Sequence, residues 1–322
     1  MIQNLQVVRA FAAIFVVIFH VVLTQKTVGG GPQIFASFDK WGASGVDLFF
    51  VLSGFIMIYI QRLKPKSPWG FTRARLERIV PIYWIITMGW AAVILVTSDF
   101  STTYADPAHV GVSLLFLSKL SGFGAPFIQP GWTLELEMLF YCLFAVSLLL
   151  GSSFLVVGAA LALFHFLFGL DMIVFEFFLG MLVGRWYFIK HPIFPPVLLA
   201  IAGMAALLYS LLADIETADF SRMERLLYWG IPSTFLIAGV SRMRQLRPGF
   251  LTLTGAASYS IYLSHWPGMR LFQEGLDGFG VPPLNPDMYV VLCTGFCVLL
   301  GLGIHLLIEL PIARWLVRIR AQ

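Results

Sequence analysis

An arginine and a histidine lie inside the first apolar stretch of the chain, LQVVRAFAAIFVVIFH. Arg9 and His20 are eleven residues apart, so a helix places both on one face, about 16 Å apart along its axis. Ionisable side chains are costly in hydrocarbon, and those found there usually serve a function. The spacing therefore predicts one membrane helix with a cation toward one surface and an imidazole toward the other.

His20 has the chemistry of a general base, because a neutral imidazole accepts a proton near neutral pH. A neighbouring carboxylate would fix its tautomer and stabilise the imidazolium. Asp47, in GASGVDLFFVLSGF, and Glu137, in GWTLELEMLFY, both follow the outer entry of an apolar segment. We expect His20, Glu137 and Asp47 to form the catalytic group, with either carboxylate as the partner of His20. The alternative is a packed core histidine and a structural ion pair.

Two further arginines stand at the entrance of the third apolar segment, in FTRARLERIVPIYW. Arg75 and Arg78 are three residues apart and share one helix face. A guanidinium binds phosphate with a planar, bidentate fork. With Arg9 expected at a similar depth, the three arginines predict a phosphate-binding group, the alternative being basic residues that only anchor the topology.

Three residues are predicted to bind a further substrate, distinct from the ligand whose phosphate the arginines would hold. Trp132 and Tyr141 flank Glu137, and Tyr141 shares its helix face one turn further along. His265, in SYSIYLSHWPG, lies toward the outer end of a later apolar segment. Its neighbour Ser264 is not expected to be a nucleophile, because adjacent helix residues point about 100° apart.

The amino-acid composition indicates that these residues belong to a membrane protein. The chain has 322 residues, of which 59% are hydrophobic and 12% charged, whereas soluble domains carry about 25% charged residues. Its mean hydropathy is +0.85. Apolar segments long enough to cross a bilayer recur throughout and predict an all-α, polytopic bundle of about ten transmembrane helices. The candidate spans are 5–24, 41–60, 79–97, 131–150, 153–169, 172–189, 195–213, 226–241, 252–271 and 288–313.

Positive charge orients this bundle with both termini in the cytoplasm. The inward loops and tail then hold fourteen Lys and Arg residues and the outward loops six, as the positive-inside rule requires. The apolar piece VGVSLLFLSKL within 98–130 is too short to span and is expected at the interface or as a re-entrant segment. Gly180 and Gly184 have the GxxxG spacing of close helix packing, which would turn Glu176 toward the bundle.

Metal and nucleic-acid chemistry are not expected. The cysteines lie in apolar runs without the spacing of a zinc site or a disulfide framework, and we interpret them as packing residues. They are Cys142, Cys293 and Cys297.

Taken in chain order, several segments resemble the membrane acyltransferase family 3. The resemblance covers nearly the whole chain, so residues 1–322 are interpreted as one domain. It rests on Arg and His eleven apart in the first span, a basic RxxR, a WSLxxE-like segment whose glutamate is Glu137, and a final E-x-P. One departure is Met138, where the family pattern usually has a second glutamate. The matching stretches are GVDLFFVLSGF at 45–55, RLER at 75–78, WTLELEMLFY at 132–141, SYSIYLSHWP at 258–267 and ELP at 309–311.

The resemblance implies acyl transfer, commonly of acetyl, from cytoplasmic acyl-CoA to a hydroxyl of an extracytoplasmic glycan or its lipid-linked precursor. The arginines would hold the CoA phosphates, and His20 would deprotonate the acceptor or carry the acyl group briefly. The expected location is the bacterial cytoplasmic (inner) membrane. The sequence does not address the oligomeric state, the acyl group or the acceptor hydroxyl.

Two other hypotheses use the same residues. A transporter or flippase for an anionic or lipid-linked solute would use the intramembrane charges as a pathway. A non-catalytic scaffold would use His20 and Glu137 only as a structural pair. Loss of His20 would then reduce abundance rather than activity.

Overall fold

A computed structural model describes residues 2–27, 31–97, 106–151, 154–213 and 223–321. These residues form helices joined by short connections and contain no strand, as the composition predicts. The α-helices are α1 (Gln3–Thr27), α2 (Phe38–Trp41), α3 (Ser44–Leu63), α4 (Pro68–Val96), α5 (Pro107–Leu114), α6 (Trp132–Leu149), α7 (Phe154–Phe168), α8 (Phe175–Tyr187), α9 (Pro196–Leu212), α10 (Met223–Arg225), α11 (Ile231–Arg242), α12 (Phe250–Ala256), α13 (Ser258–Gly278), α14 (Pro286–Ile304) and α15 (Leu310–Ala321).

Two of the longest helices begin at signals that the sequence displays. The Ser67 hydroxyl accepts a hydrogen bond from the backbone N–H of Gly70, and Pro68 occupies the first turn of α4. The Asn285 side chain accepts from two backbone N–H groups at the start of α14, again ahead of a proline. Such caps satisfy N–H groups that have no partner within the helix, and a proline there loses no hydrogen bond.

Five helical segments are long and apolar enough to cross a membrane. They are Gln3–Thr27, Phe38–Leu63, Pro68–Val96, Gln129–Leu149 and Pro286–Ile319. Phe154–Phe168 and Pro196–Leu212 are apolar but shorter. Helices overlie all ten candidate spans, so a multi-pass helical membrane protein is confirmed, while ten crossings and cytoplasmic termini stay predictions. Within 98–130, α5 has only eight residues, and residues 98–105 lie outside the described part of the chain.

Helices α3 and α8 are held together by glycines. A Cβ at Gly180 would stand 2.0 Å from the Val51 carbonyl oxygen, and one at Gly54 would stand 2.0 Å from that of Phe177. A Cβ at Gly184 would meet the Ile58 side chain at 2.7 Å. Phe50 stacks on Phe177 near the beginning of both helices, and Tyr59 stacks on Phe188 near their ends, so α3 and α8 run parallel and end on the same side. The GxxxG prediction is confirmed, and Glu176 is fully buried.

Helix α1 lies at the centre of the arrangement that positions the polar residues. It packs against α3, α12, α13 and α14, while α4 packs against α6. One buried hydrophobic cluster joins α3, α4, α6 and α8 and includes Phe140 and Phe177, whose rings stack at 4.4 Å between centroids. The polar side chains of α1 therefore face neighbours whose positions are fixed by close packing.

Candidate functional site

A buried chamber lies between α1, α3, α4, α6 and α13. Its volume is about 80 Å³, enough for several water molecules. Its walls combine apolar residues with a group of charged and hydroxyl side chains. Those polar residues are Arg9, Ser53, Arg75, Arg78, Thr133, Glu137, Tyr141, Ser258, Tyr259 and Tyr262.

The three arginines predicted to act together line this one chamber. Arg9 and Arg75 are each only 7% exposed. Arg9 donates a hydrogen bond to the Gln6 side chain at 3.2 Å, and the Arg75 guanidinium carbon lies 5.9 Å from the centre of the Tyr141 ring. The Nε of Arg75 is buried and has no hydrogen-bond partner among the described residues. Since buried donors are normally satisfied, this N–H is available to an anionic ligand.

Glu137 lies in the arginine chamber rather than beside His20. Its carboxylate accepts a hydrogen bond from Ser53 Oγ at 2.8 Å and another from the Tyr141 hydroxyl. We expected Glu137 at the level of the histidines. The structure places it with the guanidiniums because α6 packs against α4, with the rings of Tyr141 and Phe144 against Phe71 at the beginning of α4. Its carboxylate is thus a counter-charge to the arginines.

His20 is paired with a second histidine. His265 Nε2 lies 3.2 Å from His20 Nδ1, which also contacts the Val16 carbonyl oxygen at 2.9 Å. His265 Nδ1 lies 2.6 Å from the Tyr262 carbonyl oxygen. A carbonyl oxygen only accepts, so each Nδ1 carries a hydrogen when the rings are neutral. His265 Nε2 then accepts from His20 Nδ1–H, and His20 Nε2 keeps the lone pair that a base needs.

Tyr262 connects the histidine pair to the chamber. It lines the chamber, and its ring centre lies 5.9 Å from that of His265. Phe49, which also lines the chamber, packs edge-on against Tyr262 at 5.8 Å. Neither histidine lines the chamber, so one aromatic layer separates His20 from the arginines.

Asp47, the other proposed partner of His20, is engaged elsewhere. It is fully buried and accepts a hydrogen bond from Arg225 at 2.6 Å. Glu176 lies beside this pair, and the Arg225 guanidinium lies over the Trp229 ring at 4.6 Å. Our topology treated Arg225 as an outward loop residue, and only its spacing from Trp229 could have indicated burial. The contacts of Asp47 describe a structural ion pair rather than a catalytic one.

The three residues predicted to bind a second substrate do not form one site in the structure. Tyr141 lines the chamber and bonds Glu137. Trp132 packs edge-on against Phe50 at 6.3 Å and is not among the chamber-lining residues described. His265 is fully buried, and its side chain contacts His20, the Tyr262 ring and the Tyr262 carbonyl oxygen.

Arg78 lines a second cavity as well as the chamber. This cavity, of about 180 Å³, lies between α4 and α15 and also includes Glu309. Glu309 accepts hydrogen bonds from Ser260 Oγ and His305 Nδ1, each at 2.7 Å. It ends a π-helical turn, His305–Glu309, and such turns are frequent at functional sites.

No group of metal-ligating side chains is found in the described part of the chain. Cys293 and Cys297 are fully buried, and Cys142 is exposed on α6. The interpretation of the first two as packing residues agrees with that burial.

Comparison with known proteins gives two findings. A family model described as an acyltransferase domain matches residues 2–306. The exopolysaccharide production protein ExoZ of Rhizobium meliloti (strain 1021) is 33% identical over 298 residues, which cover 85% of this chain and 90% of that protein. No solved structure matches the chain.

Proposed function

The chain belongs to this acyltransferase family, and from that premise we propose that it transfers an acyl group, commonly acetyl, from cytoplasmic acyl-CoA to a polysaccharide hydroxyl. Membership in the family and the helical fold make it a membrane O-acyltransferase. The name of its relative supports a polysaccharide acceptor, which we propose is extracytoplasmic or lipid-linked. We place the protein in the bacterial inner membrane.

The observation that carries the donor assignment is the chamber lined by three guanidiniums, two of them buried, with an unpartnered Arg75 Nε. At about 80 Å³ it accepts the slender thioester end of acyl-CoA and excludes the nucleotide. Arg78 also faces the cavity between α4 and α15, so we place the donor's phosphates at this boundary. There a guanidinium fork binds phosphate oxygens.

His20 performs the chemical step in this proposal. Its Nε2 removes the proton of the acceptor hydroxyl, and the oxygen attacks the thioester carbon. The C–O bond forms, the C–S bond breaks, and the departing thiolate receives the proton from His20. Proton removal by a positioned base contributes about 10²–10⁴-fold to the rate. A brief acyl-His20 intermediate is the alternative route, followed by attack of the hydroxyl on that intermediate.

His265 acts through His20. As His20 becomes an imidazolium, its Nδ1–H strengthens its hydrogen bond to His265 Nε2, because bonds from charged donors are stronger. The thioester must pass the layer formed by Phe49 and Tyr262 to reach this pair. Arg9 and His20 are about 16 Å apart along α1, a distance that an extended pantetheine arm spans.

The proposal is tested with protein in lipid nanodiscs, isotope-labelled acetyl-CoA and the lipid-linked glycan of the producing cell. Mass spectrometry of the glycan is expected to show one added acetyl group for each CoA released. Movement of glycan across vesicle membranes without consumption of acetyl-CoA would instead identify a transporter and overturn the proposal.

A further inference from the structure

A larger cavity lies away from the proposed active site, at the ends of α3, α6 and α8 and the beginning of α7. Its volume is about 330 Å³. None of its lining residues lines the arginine chamber. Its lining includes polar residues, which are Gln61, Arg62, Ser147 and Arg185. The apolar part of the lining consists of Ile58, Pro65, Phe144, Leu148, Phe154 and Met181.

The two arginines of this cavity are held by aromatic rings. The Arg185 guanidinium carbon lies 4.3 Å from the centre of the Phe154 ring, and that of Arg62 lies 5.8 Å from Phe188. In the described part of the chain neither forms a salt bridge with a carboxylate. Stacking on a ring face leaves the N–H edge of a guanidinium available. Two such edges therefore face one cavity without a protein anion.

The cavity lies where lipid headgroups are expected. Because α3 and α8 run parallel, Arg62 and Arg185 belong to the same membrane surface, which the distribution of positive charge predicts to be cytoplasmic. Gln61 holds the loop after α3 through hydrogen bonds with the backbone N–H and carbonyl of Lys66. This fixes the backbone beside Arg62.

We propose that this cavity binds the phosphate of an anionic phospholipid from the inner leaflet. The guanidinium edges receive the phosphate oxygens, and the apolar part of the lining receives the first methylenes of an acyl chain. A soluble phosphate compound offers the same anion but has nothing to pack against Phe144, Leu148 and Met181. Basic pockets between helices at this surface suit anionic headgroups.

The experiment measures lipid retention by native mass spectrometry after exchange into equal amounts of phosphatidylglycerol and phosphatidylcholine. The test variant is the pair Arg62→Gln and Arg185→Gln. The matched control is the pair Lys64→Gln and Lys190→Gln, which removes the same charge near the same helix ends but does not line the cavity. The pair Arg62→Lys and Arg185→Lys keeps the charge and removes the fork.

The wild-type protein is expected to retain phosphatidylglycerol selectively. The glutamine pair at the arginines should weaken that retention about tenfold or more, since each basic side chain contributes about 1 kcal/mol near an anionic headgroup. The lysine control should change it less than about threefold in 0.15 M salt, because Lys64 and Lys190 do not line the cavity and charges distant from the lipid phosphate are screened. The arginine-to-lysine pair should also lose selectivity, because an ammonium cannot form the bidentate contact.

Equal losses in the arginine and control pairs would overturn the proposal in favour of surface charge alone. Inorganic phosphate and 3′,5′-ADP are tested in separate samples. Arginine-dependent binding of either one, without selective lipid retention, would assign the cavity to a soluble phosphate and overturn the lipid assignment. The measurement uses neither acyl donor nor acceptor, so its result is independent of the proposed reaction.

Discussion

Replacement of His265 by alanine removes the hydrogen-bond acceptor that faces His20. His20 Nδ1 lies 3.2 Å from His265 Nε2 and 2.9 Å from the Val16 carbonyl oxygen. When His20 takes up a proton, its Nδ1–H becomes a charged donor, and a hydrogen bond of that kind contributes about 1.5–3 kcal/mol. At 1.4 kcal/mol for each tenfold, full loss would slow turnover about 10–150-fold. Because the Val16 carbonyl oxygen still accepts a hydrogen bond from His20 Nδ1–H, we expect kcat to decrease only about tenfold.

The assay is acyl transfer by nanodisc protein with the donor concentration varied, so that kcat and KM are obtained separately. For His265→Ala we expect kcat to fall and the KM for acyl-CoA to stay unchanged. His265→Asn, which restores an acceptor, should recover part of the rate. His165→Ala is the matched control, since His165 lies on α7 and bonds the Leu170 carbonyl. It should keep the wild-type rate.

A double variant distinguishes positioning from an independent effect. His20→Ala alone should lower kcat about 10²–10⁴-fold. Adding His265→Ala should cause almost no further loss, because residues that act as a unit are not additive. Multiplicative losses, or full activity of His265→Ala at normal abundance, would refute the reasoning.

Three further predictions concern the chamber and its frame. Arg78→Ala should raise the KM for acyl-CoA at least about tenfold by removing a phosphate contact, whereas Arg73→Ala, which only breaks the pair with Glu77, should leave it unchanged in the same kinetic assay. Asp47→Leu should lower abundance in quantified membranes by removing the carboxylate that pairs with the buried Arg225 guanidinium, at a cost of about 3–5 kcal/mol, and an unchanged melting temperature would contradict this. Gly180→Ala should destabilise α3–α8 packing in a thermal melt. Gly89→Ala, which meets nothing within 4 Å, should not.

Most of the helices could be predicted because a membrane helix is recognisable from a local run of apolar residues. Continuous apolar runs located α1, α3, α4 and α6, and the GxxxG spacing indicated that α8 packs closely against another helix, without indicating which. The cost of exposing charge to lipid also predicted that Arg9, Arg75 and Arg78 act as one group, and all three line one chamber. Each of these inferences uses the sequence of a single helix, or only the depth of a residue in the membrane.

The pairings between helices could not be predicted in the same way. The distance of Glu137 from the end of its apolar segment predicts a depth close to that of His20. The structure brings Glu137 to the arginines, because the rotation and tilt of α6 are set by packing against α4. The Arg225 partner of Asp47 is 178 residues away in the chain. The His265 partner of His20 is 245 residues away. No local pattern encodes such contacts.

The most direct test compares donor binding with turnover in two variants. Binding of a non-hydrolysable acyl-CoA analogue and acyl transfer would be measured on the same nanodisc preparations of His20→Ala and Arg75→Ala. We predict that His20→Ala binds the analogue like the wild type and transfers at least about 100-fold more slowly, while Arg75→Ala binds it at least about tenfold more weakly. Wild-type transfer by His20→Ala, or wild-type binding by Arg75→Ala, would contradict the division between a donor chamber and a histidine base.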